Sequence, residues 1–312
     1  MRRLRYPFWN DVEGRPRALV RIGLQLAVFG VLSLLVQLAF WRVQRVTGDA
    51  WTIHTAFFLA ASVAVVASVW AGCRFLDRRA LSDLGLRLDG RWALDAAFGV
   101  ALGLVLIFAV SAVERAMGWA SYAPRAAPSA PHALAGVAVF VGVAVLEELL
   151  FRGYQLVNLA EGLRAPRVGP AAAVVGATVI SSVVFGLAHT ENPHAGAIAT
   201  TNVAFAGVML AAGFVLTGEL GVSIGLHLSW NWCQNALDMP VSGRRDFGYA
   251  ALVERVEDGP DWITGGAFGP EAGATGLVAM IVGTLAIAGY ARALEGRARV
   301  HDALRVDAPR VL

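Results

Sequence analysis

The chain has 312 residues, of which 57% are hydrophobic and only 16% charged, too few for a soluble domain, where about 25% is usual. The net charge of +3 comes from 26 basic residues that are all arginine. They gather at the ends of apolar runs rather than in one patch, which fits the positive-inside rule and argues against nucleic acid as a partner. Both cysteines, Cys73 and Cys233, fall inside apolar runs, so neither a disulfide nor a cysteine-based metal site is expected.

Residues 1–18 are polar and arginine-rich and read as a cytoplasmic tail. No small-x-small cleavage site follows the run that begins at Leu19, so that run is expected to span the membrane rather than to be removed. Apolar runs then occupy 19–41, 53–76, 93–117, 133–158, 168–190, 197–217, 219–238 and 273–294. Spanning takes roughly 20 apolar residues, so the expected fold class is all-α: a polytopic membrane protein of about eight transmembrane helices. With the amino terminus inside, 19 of the 26 arginines lie in inside segments, Arg152 counted among them, against seven outside. Both termini are therefore expected in the cytoplasm. The segment 77–87 is polar with spaced leucines and reads as interfacial, 123–131 as a loop, and 239–273 as a polar stretch outside the membrane. Gly99-x-x-x-Gly103 and Gly221-x-x-x-Gly225 are small-residue faces suited to close helix packing.

The fourth run contains Leu146-Glu147-Glu148-Leu149-Leu150-Phe151-Arg152. A charge at the bilayer centre costs roughly 2.5–3.5 kcal/mol on insertion scales, so three in one helix must be paired, or must face protein or water. Glu148 and Arg152 lie one helical turn apart and can pair. Glu147 points about 100° away and has no basic residue one turn before or after it, which leaves it to meet another helix. Two other runs carry polar groups of the right kind. The fifth ends at His189, and the seventh holds His227 and Asn231, one turn apart on one face. Read singly, the bland explanations compete well: a lone histidine in an apolar helix is usually a packing residue, and Glu148–Arg152 is as readily a structural salt bridge. His54, His132, His194, His301 and the Glu114-Arg115 pair sit near run ends and are expected to be interfacial or solvated. Ser181, Ser182 and Ser229 lack a nucleophile-elbow context. Together, a carboxylate, two imidazoles, an amide and a paired arginine suffice to activate a water, directly or through a metal, and to hold the oxyanion of an attacked peptide carbonyl. No His-Glu-x-x-His motif is present: 189–194 has the wrong spacing and Pro193 interrupts it.

Glu147-Glu148-x-x-x-Arg152, Phe185-x-x-x-His189 and His227-x-x-x-Asn231, in this order, resemble the three motifs of the CPBP family of intramembrane proteases, which includes CAAX prenyl endopeptidases and bacteriocin-processing and immunity proteins. Phe151-Arg152-Gly153-Tyr154, the Ser223-Ile224 approach to His227 and the segment 81–86 resemble it as well. The resemblance covers 133–238, expected as a catalytic core, with 1–132 as a tail and three flanking helices, and 239–312 as a polar loop, last helix and tail. It implies a core of four helices around a polar cavity. Glu147 with His189 would activate water, His227 and Asn231 would stabilise the oxyanion, and Glu148 and Arg152 would order their surroundings. A zinc ion held by Glu147, His189 and His227 fits these residues too. The metal-free scheme is preferred, since it gives every residue a role without an added ion. The implied activity is endopeptidase action on membrane-associated protein or peptide substrates. The arginine-only, alanine-rich composition suggests a bacterial inner membrane, where prenylated CAAX substrates are not expected. Rival readings are a non-catalytic immunity or scaffold protein of the same fold, and a proton or ion transporter, for which the chain lacks inverted repeats. For His189 to reach Glu147, the fourth helix must continue to about Leu163.

Overall fold

The computed structural model describes residues 8–11, 13–44 and 50–305. Each of the eight apolar runs forms a helix. We number them α1 (Ala18–Gln44), α2 (Ala50–Ala71), α3 (Gly90–Ala116), α4 (Ala130–Leu163), α5 (Pro170–Leu187), α6 (Ala197–Thr217), α7 (Gly221–Ala236) and α8 (Ala274–Glu295). Among the described residues, seven are long and apolar enough to cross a membrane. The chain is thus an all-α, multi-pass membrane protein. The exception is α7, whose 16 residues are nearly all buried against the other helices. It is a polar helix that the bundle itself solvates, so it needs neither the length nor the uniform apolarity of a lipid-facing span.

Local chemistry sets the helix boundaries. Asp89 caps α3 by accepting from the Trp92 amide at 2.9 Å. Pro131 and Pro170 sit in the first turns of α4 and α5, where a missing N–H costs nothing. Gly218 closes α6 in the left-handed conformation, φ 77°. The two small-residue faces predicted from spacing meet each other. A methyl group on Gly99 would stand 2.3 Å from the Val222 carbonyl oxygen, and one on Gly225 would stand 2.2 Å from that of Ala96. The α3–α7 contact is consequently backbone against backbone. It seats the polar α7 against α3, α4 and α6, with α5 packed on α4 and α6, α2 on α4, α1 on α2, and α8 on α3 and α6.

α4 is one continuous helix of 34 residues, as the approach of His189 to Glu147 requires. At about 1.5 Å per residue it exceeds the roughly 30 Å apolar core of a bilayer, so part of it lies beyond that core. Its segment Glu148–Leu156 adopts π-helical hydrogen bonding and is buried throughout. Ser181 of α5 donates to the Phe151 carbonyl oxygen at 2.9 Å, and Tyr154 packs where any side chain on Gly72 would stand.

The stretch 239–273 is more ordered than a loop. Strand Val253–Glu257 pairs antiparallel with Ala120–Pro124, Tyr122 opposite Arg255. This lobe grips the bundle through Arg255, which donates to Glu114 at 2.7 Å, while Thr275 donates to the same carboxylate at 2.9 Å. Glu114 is thus fully buried and paired, not solvated as its place near a run end suggests; the partner lies 141 residues away. Phe247 inserts its ring between Phe140 of α4, at 5.3 Å, and Phe58 of α2, at 5.1 Å. At the opposite end, a hairpin pairing Trp9–Asn10 with Arg15–Pro16 leads into α1.

Candidate active site

A cavity of about 560 Å³ lies beneath the 239–273 lobe, and Glu147, His189, His227 and Asn231 all line it. Glu147 reaches it from the middle of α4, His189 from just past the end of α5, and His227 and Asn231 from successive turns of α7. Glu147 Oε2 stands 4.0 Å from His189 Nε2 and 3.8 Å from His227 Nε2. It is buried without a hydrogen-bond partner.

The neighbours of the two rings fix their tautomers. His227 Nδ1 lies 2.8 Å from Glu148 Oε1, which also accepts from Arg152 Nη1 at 2.8 Å. An ionised, arginine-paired carboxylate only accepts, so His227 Nδ1 carries a proton. His189 Nδ1 lies 2.8 Å from the Phe185 carbonyl oxygen, again an acceptor, so it too is protonated. In the neutral rings both Nε2 atoms then present lone pairs. Three acceptors (one carboxylate oxygen and two imidazole nitrogens) converge on one small volume. Such an arrangement calls for a proton donor or a cation between them, and a water molecule meets the need with two O–H groups.

Glu148 and Arg152 are deeply buried and stand behind this centre. Arg152 also donates to the Gly207 carbonyl oxygen of α6 at 3.3 Å and lies over the Phe185 ring at 4.1 Å. The ion pair therefore ties α4 to α6 and α5 while holding His227 in place. The predicted group of six is thereby resolved into two layers: Glu147, His189, His227 and Asn231 on the cavity, Glu148 and Arg152 behind it.

Some contributors escape a sequence reading. The orienting partner of His189 is the Phe185 backbone, and a carbonyl leaves no trace in residue type. His54, expected at the interface, lines the cavity from the start of α2. Glu271, in the short turn Pro270–Ala272, also lines it, accepting from Gln234 Nε2 at 2.8 Å. Burial pushes the Glu271 carboxyl up to about 7, against the opposing hydrogen bonds from its own backbone and Gln234. Its only signal in sequence is an acidic residue just ahead of an apolar run.

The donor set suits a divalent metal chemically, because catalytic zinc takes three nitrogen or oxygen ligands and its histidines are oriented through their other nitrogens. As they stand, no three His, Cys, Asp or Glu side chains among the described residues are gathered closely enough to hold one.

Residues 129–233 match the family model described as type II CAAX prenyl endopeptidase Rce1-like. The matched segment contains all six residues of the two layers. No curated protein and no solved structure matches the chain.

Proposed function

The chain carries the Rce1-like core of a CPBP-family intramembrane protease, and from that premise we propose that it is an endopeptidase that cleaves membrane-associated polypeptides with a water activated by Glu147. The observation that carries this reading is the unpartnered Glu147 oxygen between two imidazole nitrogens. A water there donates one hydrogen to Glu147 and the other to His189 Nε2, leaving its own lone pair for the substrate carbonyl. Glu147 takes the proton as that oxygen attacks. The tetrahedral oxyanion accepts from the Asn231 amide and from His227 Nε2 once that ring has taken a second proton from solvent, with Glu148 against Nδ1 balancing the charge. Collapse expels the amine, which leaves with the proton held by Glu147. Glu148 and Arg152 act as positioning residues.

Were zinc bound, Glu147, His189 and His227 would hold it, and it would supply a more acidic water. The metal-free scheme gives each of the four cavity residues a role without it. Activity is then expected to survive a strong chelator followed by gel filtration. Loss on zinc removal with stoichiometric restoration on add-back would overturn the metal-free scheme.

We place the protein in a bacterial inner membrane with both termini cytoplasmic, on the arginine distribution. The test of the activity is a comparison of membrane-protein termini in cells carrying the intact chain or Glu147→Ala. New termini that vanish in the variant are expected. Identical terminal profiles, with both proteins equally abundant, would instead favour a non-catalytic scaffold.

A further inference from the structure

From the distribution of lining residues and of charge we infer that the catalytic cavity opens on the non-cytoplasmic face, so that the substrates are membrane-anchored polypeptides whose scissile bond lies at the outer surface. The inference rests on the proposed protease reading for the word substrate, but its structural content, a site served from the outer face, stands apart from it.

The first observation is where the cavity ends. The helices alternate in direction, so one end of the bundle carries the turns 117–129, 188–196 and the 239–273 lobe, and the other carries 8–17, 78–89, 164–169, 218–220 and 296–305. Cavity-lining residues outside the membrane-crossing helices and α7 all belong to the first end: Ala188, His189, Asn192, Ser242 and Glu271 among them. None comes from the second end. Arg244 and Asp246, paired with each other at 2.8 Å, line the cavity with side chains 42% and 39% exposed, so the cavity communicates with water through the lobe.

The second observation is charge. The end away from the cavity carries Arg15, Arg17, Arg74, Arg78, Arg79, Arg87, Arg91, Arg164, Arg167, Arg297 and Arg299 among the described residues, whereas the lobe end carries Arg42, Arg115, Arg125, Arg244, Arg245 and Arg255. The bias is what orients a multi-pass protein with its arginine-rich end in the cytoplasm. The cavity therefore opens away from the cytoplasm.

The third is the polarity of the walls. The rim is polar, built from His54, Asn192, Ser242, Arg244, Asp246 and Glu271, while Phe58, Phe140 and Phe247 stack into an apolar wall beside it. A polypeptide leaving the bilayer presents this same change from apolar to polar along its length. Its last apolar side chain fits the phenylalanine wall and its first polar residues fit the rim.

The experiment uses the full chain with Cys73 and Cys233 retained, since both are fully buried. Single cysteines are introduced as Glu254→Cys on the lobe, Arg167→Cys at the opposite end, and Val143→Cys in the cavity one turn before Glu147. Ala188→Cys serves as a second cavity position should Val143→Cys not accumulate. Cells are exposed to a charged, membrane-impermeant methanethiosulfonate before and after permeabilisation, and loss of free thiol is read. Glu254→Cys and the cavity cysteine are expected to react in intact cells, and Arg167→Cys only after permeabilisation. Reaction of Arg167→Cys in intact cells with Glu254→Cys protected would overturn the orientation. Reaction of the cavity cysteine only after permeabilisation, with Glu254→Cys already labelled from outside, would overturn the opening. No readout depends on cleavage, so unchanged termini in Glu147→Ala cells would sink the protease reading and leave this result standing.

Discussion

Two clusters of buried charge occupy opposite halves of the bundle, and they are built on different terms. At the arginine-rich end, Glu161 of α4 accepts from Arg15 and Arg21 at 3.0 Å each and from Arg79 at 2.5 Å. Asp77 pairs with Arg21, and Asn158 donates to it at 3.3 Å. This cluster ties the amino-terminal hairpin and α1 to the ends of α2 and α4, and each carboxylate oxygen in it has a donor. In the candidate active-site cluster Glu148 is held through Oε1 alone, by Arg152 and His227, its Oε2 lacking a donor, and Glu147 Oε2 has no donor and faces two further acceptors. Desolvating a charge costs several kcal/mol, which only good partners offset. Glu161 meets that condition within the chain. Glu147 meets it only with something that arrives from outside, and that difference marks a site rather than a brace.

Substitutions sharpen the contrast, and the largest effect is expected at Glu147. Glu147→Ala should lower cleavage about 10²–10⁴-fold, the range for a general base, while the protein accumulates at its normal level. A matching fall in abundance would make Glu147 a structural residue and erase the distinction. Glu161→Ala should do the reverse: it leaves Arg79 without its carboxylate and takes one partner each from Arg15 and Arg21, and is expected to cost about 3–5 kcal/mol of stability, visible as a lower unfolding temperature, with activity per folded molecule kept. Arg152→Ala falls between the two. It leaves Glu148 buried without its counter-charge, a loss of similar size, and it frees the ring of His227, so both unfolding temperature and turnover should drop.

A smaller, pH-dependent effect is expected at Glu271. Its folded-state value of about 7 lies above the ordinary 4.5, so the folded protein holds this proton more tightly than the unfolded chain. The stabilising contribution is complete below about 4.5 and is lost as pH rises through about 7, an effect on the order of 3 kcal/mol. Glu271→Gln keeps a neutral side chain at every pH. The stability of the intact protein relative to this variant should therefore fall between pH 4.5 and 7, measured by thermal unfolding in detergent. A pH-independent difference would mean that Glu271 does not titrate in this window.

Much of this was legible in the residues alone. Eight helices follow from eight apolar runs, because a backbone in lipid has to satisfy its own hydrogen bonds and does so as helix. The catalytic candidates stand out because Glu147, Glu148, Arg152, His189, His227 and Asn231 are polar where the run around them is apolar, and such placement is costly unless it serves a site. Helical spacing likewise pairs Glu148 with Arg152 and sets Gly99-x-x-x-Gly103 and Gly221-x-x-x-Gly225 as packing faces. Spacing along a helix says nothing about rotation against a neighbour, and there only the tertiary structure decides. It turns both Nε2 atoms toward Glu147, sets Glu148 against a histidine 79 residues away, and assigns the Phe185 carbonyl to His189. It buries Glu114 on Arg255, brings His54 and Glu271 to the cavity, and folds 239–273 over its mouth. Each of these depends on contacts between segments far apart in the chain, whose geometry is fixed by packing rather than by local pattern.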